Sequence, residues 1–376
     1  MNARPLLLLT ASALAASLAA EPLTVYVGTY TDTTSRGIYR FTLDPKTGAT
    51  QPPILAGAAK NPSFLALHPS GRFLYAVGET ESFDGKSSGA VSAFAIDQTT
   101  GDLTLLGQQP SEGAGPCHLI VDRSGRHVLV ANYGGGTVAV LPIAADGRLA
   151  PASSVHVHEG SGPNRARQET PHAHGIYLSA DERFAFSPDL GADRVFVYRY
   201  DSAKGTLEPH GAVALPAGSG PRHMAFDPEE RNAYVINELL STITVFRYDA
   251  ARGELAPLET TTTLPAGFTG TSATAEVAVS RDGRFVYGSN RGHDSIAVLS
   301  RDVESGRIRL VANVPAGGKT PRHFALVPTG QWLLAAHQGS DTVSVFRVDE
   351  ASGLVSPVGP PLEGIGKPVC LLPVRP

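Results

Sequence analysis

One alternation of apolar and polar positions recurs along the chain. Each copy reads as a short Pro-led strand, a polar turn, a second strand, a polar loop and a strictly alternating third strand. The clearest hairpins are Asn61–Glu79, Gly115–Tyr133, Gly220–Glu238, Ser272–Arg291 and Thr320–Gln338, with a degenerate copy from Pro171 to Leu190. Their turn positions, Gly71, Gly125, Glu182, Glu230, Gly283 and Gly330, lie 54, 57, 48, 53 and 47 residues apart. A fourth, weaker strand follows a Gly-containing turn, as in 205–215. Four strands every ~50 residues is the pattern of a β-propeller blade. Strand-like segments remain at both ends: 24–30 and 37–44 read as second and third strands, and 367–374 as a first. Joined, they make a further blade that closes the ring and removes its open edges. The predicted fold is all-β, a seven-bladed β-propeller with four antiparallel strands per blade, the last blade shared between the N- and C-terminal strands.

The first twenty residues read differently. Arg4 precedes the apolar run Leu6–Leu9, which passes into Ala and Ser, and Ser17-Leu18-Ala19 offers a small-x-small cleavage pattern. Residues 1–20 are predicted to be a signal peptide. The remainder, 21–376, is predicted to be a single propeller domain, exported to the periplasm or secreted. Composition narrows the rest. With 42% hydrophobic and 18% charged residues the chain is not a disordered one. A net charge of −4 gives no general field for nucleic acid or an anionic membrane, so neither is an expected partner after leader cleavage. A monomer is expected. Cys117 and Cys370 fall on blades separated by another blade, too far apart to bridge, so both thiols are expected to be free.

Hairpin register points to a site. Eight residues back from each turn position stand Ser63, Cys117, His174, Arg222, Ala275 and Arg322, followed by Phe64, His118, Gly175, His223, Glu276 and His323. Eight forward stand Glu79, Tyr133, Leu190, Glu238, Arg291 and Gln338, preceded by Gly78, Asn132, Asp189, Asn237, Asn290 and His337. The two ends of an antiparallel hairpin lie side by side. These positions therefore form a ring at one mouth of the channel. Their chemistry changes from blade to blade while the spacing holds, as expected where one asymmetric ligand meets a pseudo-symmetric ring. His68, His127 and His293 lie off the ring and read as structural or surface groups. Arg165, Arg167, Asp181, Glu182 and Arg183 read as a solvated loop and turn. The pairs His156-Val-His158 and His172-Ala-His174 lack a spaced third ligand, so no metal site is expected. No nucleophile elbow, phosphate loop or dinucleotide fingerprint is present in the sequence, and no cofactor is expected.

At these residues the chain resembles the seven-bladed propeller lactonase family, which includes propeller-type 6-phosphogluconolactonases and fungal carboxymuconate cyclases. The stretches that carry the resemblance are Tyr26–Thr31, Gly160–Gly175, Pro188–Asp201, Gly220–Pro228 with Val235–Glu238, and Ser289–Val298. The resemblance implies a cofactor-free site at the channel mouth made of a His, two Arg and a Glu. By motif these are His174, Arg222, Glu238 and Arg291, all members of the ring deduced from spacing. One departure is His323, where relatives usually carry Asn after Pro-Arg. The expected activity is metal-independent hydrolysis of a sugar lactone carrying an anionic group. Glu238 is expected to act as base and His174 as acid, or the reverse, with Arg222 and Arg291 at the oxyanion. His118, His172, His223, Asn237, Glu276, Arg322 and His323 are the expected substrate-binding groups. Two alternatives stay open: a lactonising cycloisomerase using the same groups, and a non-catalytic periplasmic binding propeller. Export argues against a phosphorylated sugar and leaves an unphosphorylated aldonolactone open.

Overall fold

The computed structural model describes residues 21–374, so the predicted leader lies outside the described residues. Seven four-stranded antiparallel sheets form the ring. Blades 1 to 6 follow chain order, beginning with the strands Leu65–Leu67, Pro116–Val121, Tyr177–Leu178, Pro221–Phe226, Ala273–Val279 and Pro321–Leu326. Blade 7 runs Pro368–Val374, Leu23–Thr29, Gly37–Leu43 and Ile54–Ala58 in spatial order. The closing register runs from Thr24 opposite Val374 to Gly28 opposite Cys370, as the terminal patterns predict.

Packing follows from strand position. Second strands such as Asn232–Asn237 are buried on both faces, whereas outer strands such as Thr206–Ala214 are largely open to solvent. The apolar side chains gather into seven clusters, one at each blade interface. The cluster between blades 6 and 7 holds buried Trp332, whose Nε1 donates to Pro45 O at 2.9 Å across the closure. All six turn positions used to find the blades have positive φ, between 49° and 81°. Glycine adopts that conformation freely, which explains four of them. Glu182 and Glu230 accept hydrogen bonds from the backbone N–H of Arg123 and Ala180 on the preceding blade, which offset their strain.

The register contains one feature that even counting misses. Pro221 pairs with Asn237 and His223 with Ile236, leaving Arg222 as the extra residue of a β-bulge rather than directly opposite Glu238. The same irregularity frees Cys117 and Arg322, and a longer one frees Ala275 and Glu276. A bulge re-aims side chains that strict alternation would send to opposite faces. Arg222 and His223 are accordingly both buried and in contact, 3.2 Å between Nη1 and Nε2.

Cys117 and Cys370 are buried and free. His68 bonds Gly125 O on the next blade, while His127 bonds Asp122 within its own hairpin and meets Tyr200 OH of the next blade at 2.9 Å. His156 and His158 turn to different partners, Leu207 O and Asp189.

Candidate active site at the channel mouth

Every blade contributes to the polar mouth. Blade 4 supplies Arg222 and Glu238, blade 5 Arg291, and the loop leading into blade 3 supplies Arg167 and His174. Glu238 is the centre. Its Oε1 accepts from Arg167 Nη2 at 2.7 Å, and its Oε2 lies 2.7 Å from Arg291 Nη2 and 3.2 Å from Arg222 Nε. Burial alone would raise this carboxyl. The guanidiniums of Arg291, Arg222 and Arg167 outweigh it and hold the group at about 2.

Arg222 is pinned from below. Its Nη1 donates to Ala275 O at 2.7 Å and approaches His223 Nε2 at 3.2 Å. His223 Nδ1 in turn reaches Glu276 Oε2 at 2.9 Å, and His323 Nε2 reaches the same oxygen at 3.4 Å. With Nε2 accepting from arginine, His223 must donate through Nδ1, so Glu276 fixes its tautomer. Burial and the Arg222 charge push His223 well below the usual imidazole range, and burial raises Glu276. The contact to Glu238 is an ion pair without hydrogen-bond alignment. Arg222 Nε is thus a buried donor with no acceptor among the described residues.

His174 is nearly sealed in protein. Its Nδ1 lies 3.6 Å from Cys117 Sγ, and the Tyr133 ring meets it edge-on at 5.2 Å. Burial, then the charges of Arg222, His223 and Arg322, push it well below the usual imidazole range, so it is neutral at pH 7. The Cys117 thiol is pushed up by burial and stays protonated.

Blades 6, 7 and 1 form the facing wall. Arg322 lies over the Tyr30 ring, and its Nη2 donates to Tyr30 OH at 3.1 Å. Tyr30 OH donates to the Glu79 carboxylate at 2.9 Å, and Ser63 OH donates to it as well. A narrow cavity separates Arg222 from Arg322, lined also by Tyr30, Glu79 and Cys117. Larger grooves lie elsewhere, between blades 5 and 6 around Asp282 and Tyr287, and beside Asp341 and Glu363. Neither groups titratable side chains as the mouth does.

His174, Arg222, Glu238 and Arg291 are therefore brought together as the ring predicts. His118, His223, Glu276 and His323 are buried in the channel one layer beneath. His118 Nδ1 accepts from Ile176 N, and its ring packs on Phe64 and Tyr177. His172 stacks on Tyr133 and bonds its carbonyl. Asn237 is a correction. Its amide donates to Thr242 and Thr244 inside the blade, because it precedes Glu238 on an alternating strand and faces the other way. Arg167 is a second correction. Its side chain is partly exposed but is a direct partner of Glu238 and of Tyr133 OH. Tyr30 and Glu79 were also missed as site groups, although Glu79 holds the hairpin position equivalent to Glu238.

From residue 24 to 373 the sequence matches the family described as lactonase, 7-bladed beta-propeller. The chain belongs to that family. The 6-phosphogluconolactonase of Bacillus subtilis is 37% identical over 346 residues, covering 92% of this chain and 97% of the relative. The 6-phosphogluconolactonase of Formosa agariphila is 32% identical over 341 residues, covering 88% and 93%. The solved periplasmic gluconolactonase of Pseudomonas aeruginosa superposes with a TM-score of 0.88 at 35% identity, covering 95% of this chain and 100% of that one. Membership in the lactonase family carries its reaction class, lactone hydrolysis, to this chain.

Proposed function

We propose that the protein hydrolyses a sugar lactone bearing an anionic substituent, as a 6-phosphogluconolactonase does, using His174 as proton shuttle and Arg222 with Arg291 at the oxyanion. The observation that carries this is the unpartnered Arg222 Nε. A buried charged donor without an acceptor is costly, and a tetrahedral oxyanion is the acceptor it lacks. Charge balance supports the anionic substituent. Among the described residues, Arg167, Arg222, Arg291 and Arg322 face the carboxylates Glu79 and Glu238 at the mouth, with Glu276 one layer beneath Arg222. Arg322, whose side-chain hydrogen bond among the described residues is to the Tyr30 hydroxyl, adds to the positive charge available to an anion there.

In this scheme neutral His174 takes a proton from water as the water oxygen bonds to the lactone carbonyl carbon. The carbonyl electron pair moves onto oxygen, beside Arg222 and Arg291. Its return breaks the ring C–O bond, and the imidazolium gives its proton to the departing alkoxide. The low basicity of Glu238 favours this assignment over the reverse one and makes Glu238 the holder of the guanidiniums. Residues 1–20 and the periplasmic Pseudomonas relative support export.

The test is a screen of purified protein against gluconolactone, 6-phosphogluconolactone and a carboxylated muconate, corrected for spontaneous hydrolysis. Turnover of a lactone supports the proposal. Lactonisation of the muconate alone would make the protein a cycloisomerase, and binding without turnover would make it a binding propeller.

A further inference from the structure

Among the arginines around Glu238, Arg167 is the most exposed. Its side chain is 40% exposed, against 4% for Arg222 and 14% for Arg291. Its backbone is nevertheless fixed. Arg167 sits on the helical turn Arg165–Gln168, and Gln168 is fully buried. Gln168 donates to Leu190 O at 2.9 Å and to Asp193 Oδ1 at 2.8 Å, and accepts from Asn164 N at 3.1 Å. Asp193 also accepts from the N–H groups of Gly218 and Gly220, which lead into Arg222. One carboxylate therefore anchors both the helical turn and the strand that carries Arg222. What remains free to move is the Arg167 side chain, through a change of rotamer. Both of its hydrogen bonds, to Glu238 Oε1 and Tyr133 OH, use Nη2, so Nε and Nη1 have no acceptor among the described residues.

We propose that Arg167 is a specificity-determining residue, drawn from Glu238 onto the anionic substituent of the lactone. The inference rests on the lactone reading above and deepens it. An incoming anion meets the exposed guanidinium before the buried ones. Phosphate or carboxylate can take Arg167 through two nitrogens, against the single Nη2 contact it makes with Glu238, so the exchange replaces one charge-assisted contact by another at least as good. A neutral lactone offers nothing in return, and Arg167 stays on Glu238. Once released, Glu238 loses one of its cations and gains a free oxygen that can accept from a sugar hydroxyl. An anionic substrate thus obtains both a charge contact and a better acceptor.

The experiment compares wild type with Arg167→Gln and Arg167→Lys on three lactones: neutral gluconolactone, 6-phosphogluconolactone and a carboxylated aldarolactone. One charge-assisted contact corresponds to a loss of about 10- to 100-fold. Arg167→Gln is expected to lower kcat/KM by that factor on the charged lactones, mainly through KM. On the neutral one, where Arg167 touches only Glu238 and Tyr133, the loss is expected to be several-fold smaller than on the charged lactones. Arg167→Lys should recover part of the loss, because charge remains while the planar fork does not. The phosphate and carboxylate arms show which anion is read. Equal losses on charged and neutral lactones overturn the proposal, and so does no loss on either. If wild type opens none of the lactones, the lactonase reading fails by itself. Arg167 is then judged by calorimetric titration with glucose 6-phosphate and uncharged glucose, where Arg167→Gln must weaken only the phosphorylated ligand.

Discussion

Two buried ion clusters in this protein use the same residue types and differ in balance. Between blades 4 and 5, Arg301 meets Asp227, both side chains fully buried. Arg301 also donates to Tyr234 OH at 2.6 Å and Gly283 O at 2.9 Å, while Asp227 accepts from Asn232 Nδ2 at 2.7 Å. Charges cancel, and the principal donors are paired. At the mouth, Glu238 faces Arg167, Arg222 and Arg291, and Arg222 Nε is left without an acceptor. In the first cluster the two opposite charges are matched one to one within the protein. The second carries more positive than negative charge, an excess that the proposed anionic substrate would offset. Structure and function separate here by charge arithmetic, although both are buried arginine–carboxylate contacts.

The comparison breaks most visibly at the sealed pair. Arg301→Leu strands the Asp227 carboxylate without its countercharge and is expected to cost about 3–5 kcal/mol of stability in urea unfolding. Turnover per folded molecule should not change. A loss of activity without a loss of stability would mean that the two clusters are not separate.

At the mouth the signs reverse. His174→Ala should reduce kcat by about 10²- to 10⁴-fold while the melting temperature barely moves. Glu238→Gln should cost about 10²-fold, because it frees the guanidiniums that it spaces. The pH profile separates their roles. His174 is held well below the ordinary 6.5, so it is deprotonated and competent at neutral pH, and activity falls only as pH drops through that lowered value. The acid limb of kcat/KM should disappear with His174 and persist, at lower rate, in Glu238→Gln. Persistence of the wild-type limb in His174→Ala would remove the shuttle from the scheme.

The blades were legible because their signals are local. Turn residues, alternation and Pro-led strands repeat, and each turn position found by spacing has the backbone conformation that such a turn needs. The ring was legible for the same reason, and it brought His174, Arg222, Glu238 and Arg291 to one place. Even counting failed where the backbone departs from even spacing: the bulge at Arg222 is invisible in sequence, and so is the way it sends two neighbours inward. Asn237 was misread because alternation was applied to the hairpin's position and not to its faces. Arg167 was missed because a loop residue in a charged stretch has no register. Only the fold shows buried Gln168 anchoring the turn beside it.

The finest test lies one layer below the mouth. His323 Nδ1 accepts from Leu371 N at 3.2 Å, which leaves Nε2–H to face Glu276 Oε2 at 3.4 Å. An asparagine amide has the same pair of roles, one acceptor and one donor. His323→Asn should therefore leave kcat/KM within about twofold at pH 7.5, since a single weak contact is at stake. Its effect should show in acid. Burial lowers the His323 imidazole to about 4, against partial opposition from Glu276. The fold thus favours the neutral ring, and the associated stability is complete above ~6.5 and is lost as pH falls toward 4. Asparagine does not titrate, so the variant should melt within a degree or so of wild type at pH 7.5 and about 1–3 °C above it at pH 5. His118, His174 and His223 still titrate in the variant, so its melting temperature should continue to fall in acid, only less steeply. A variant that loses stability equally at both pH values would show that the imidazole contributes through packing, and that the layer beneath Arg222 is not held by the Glu276 contacts.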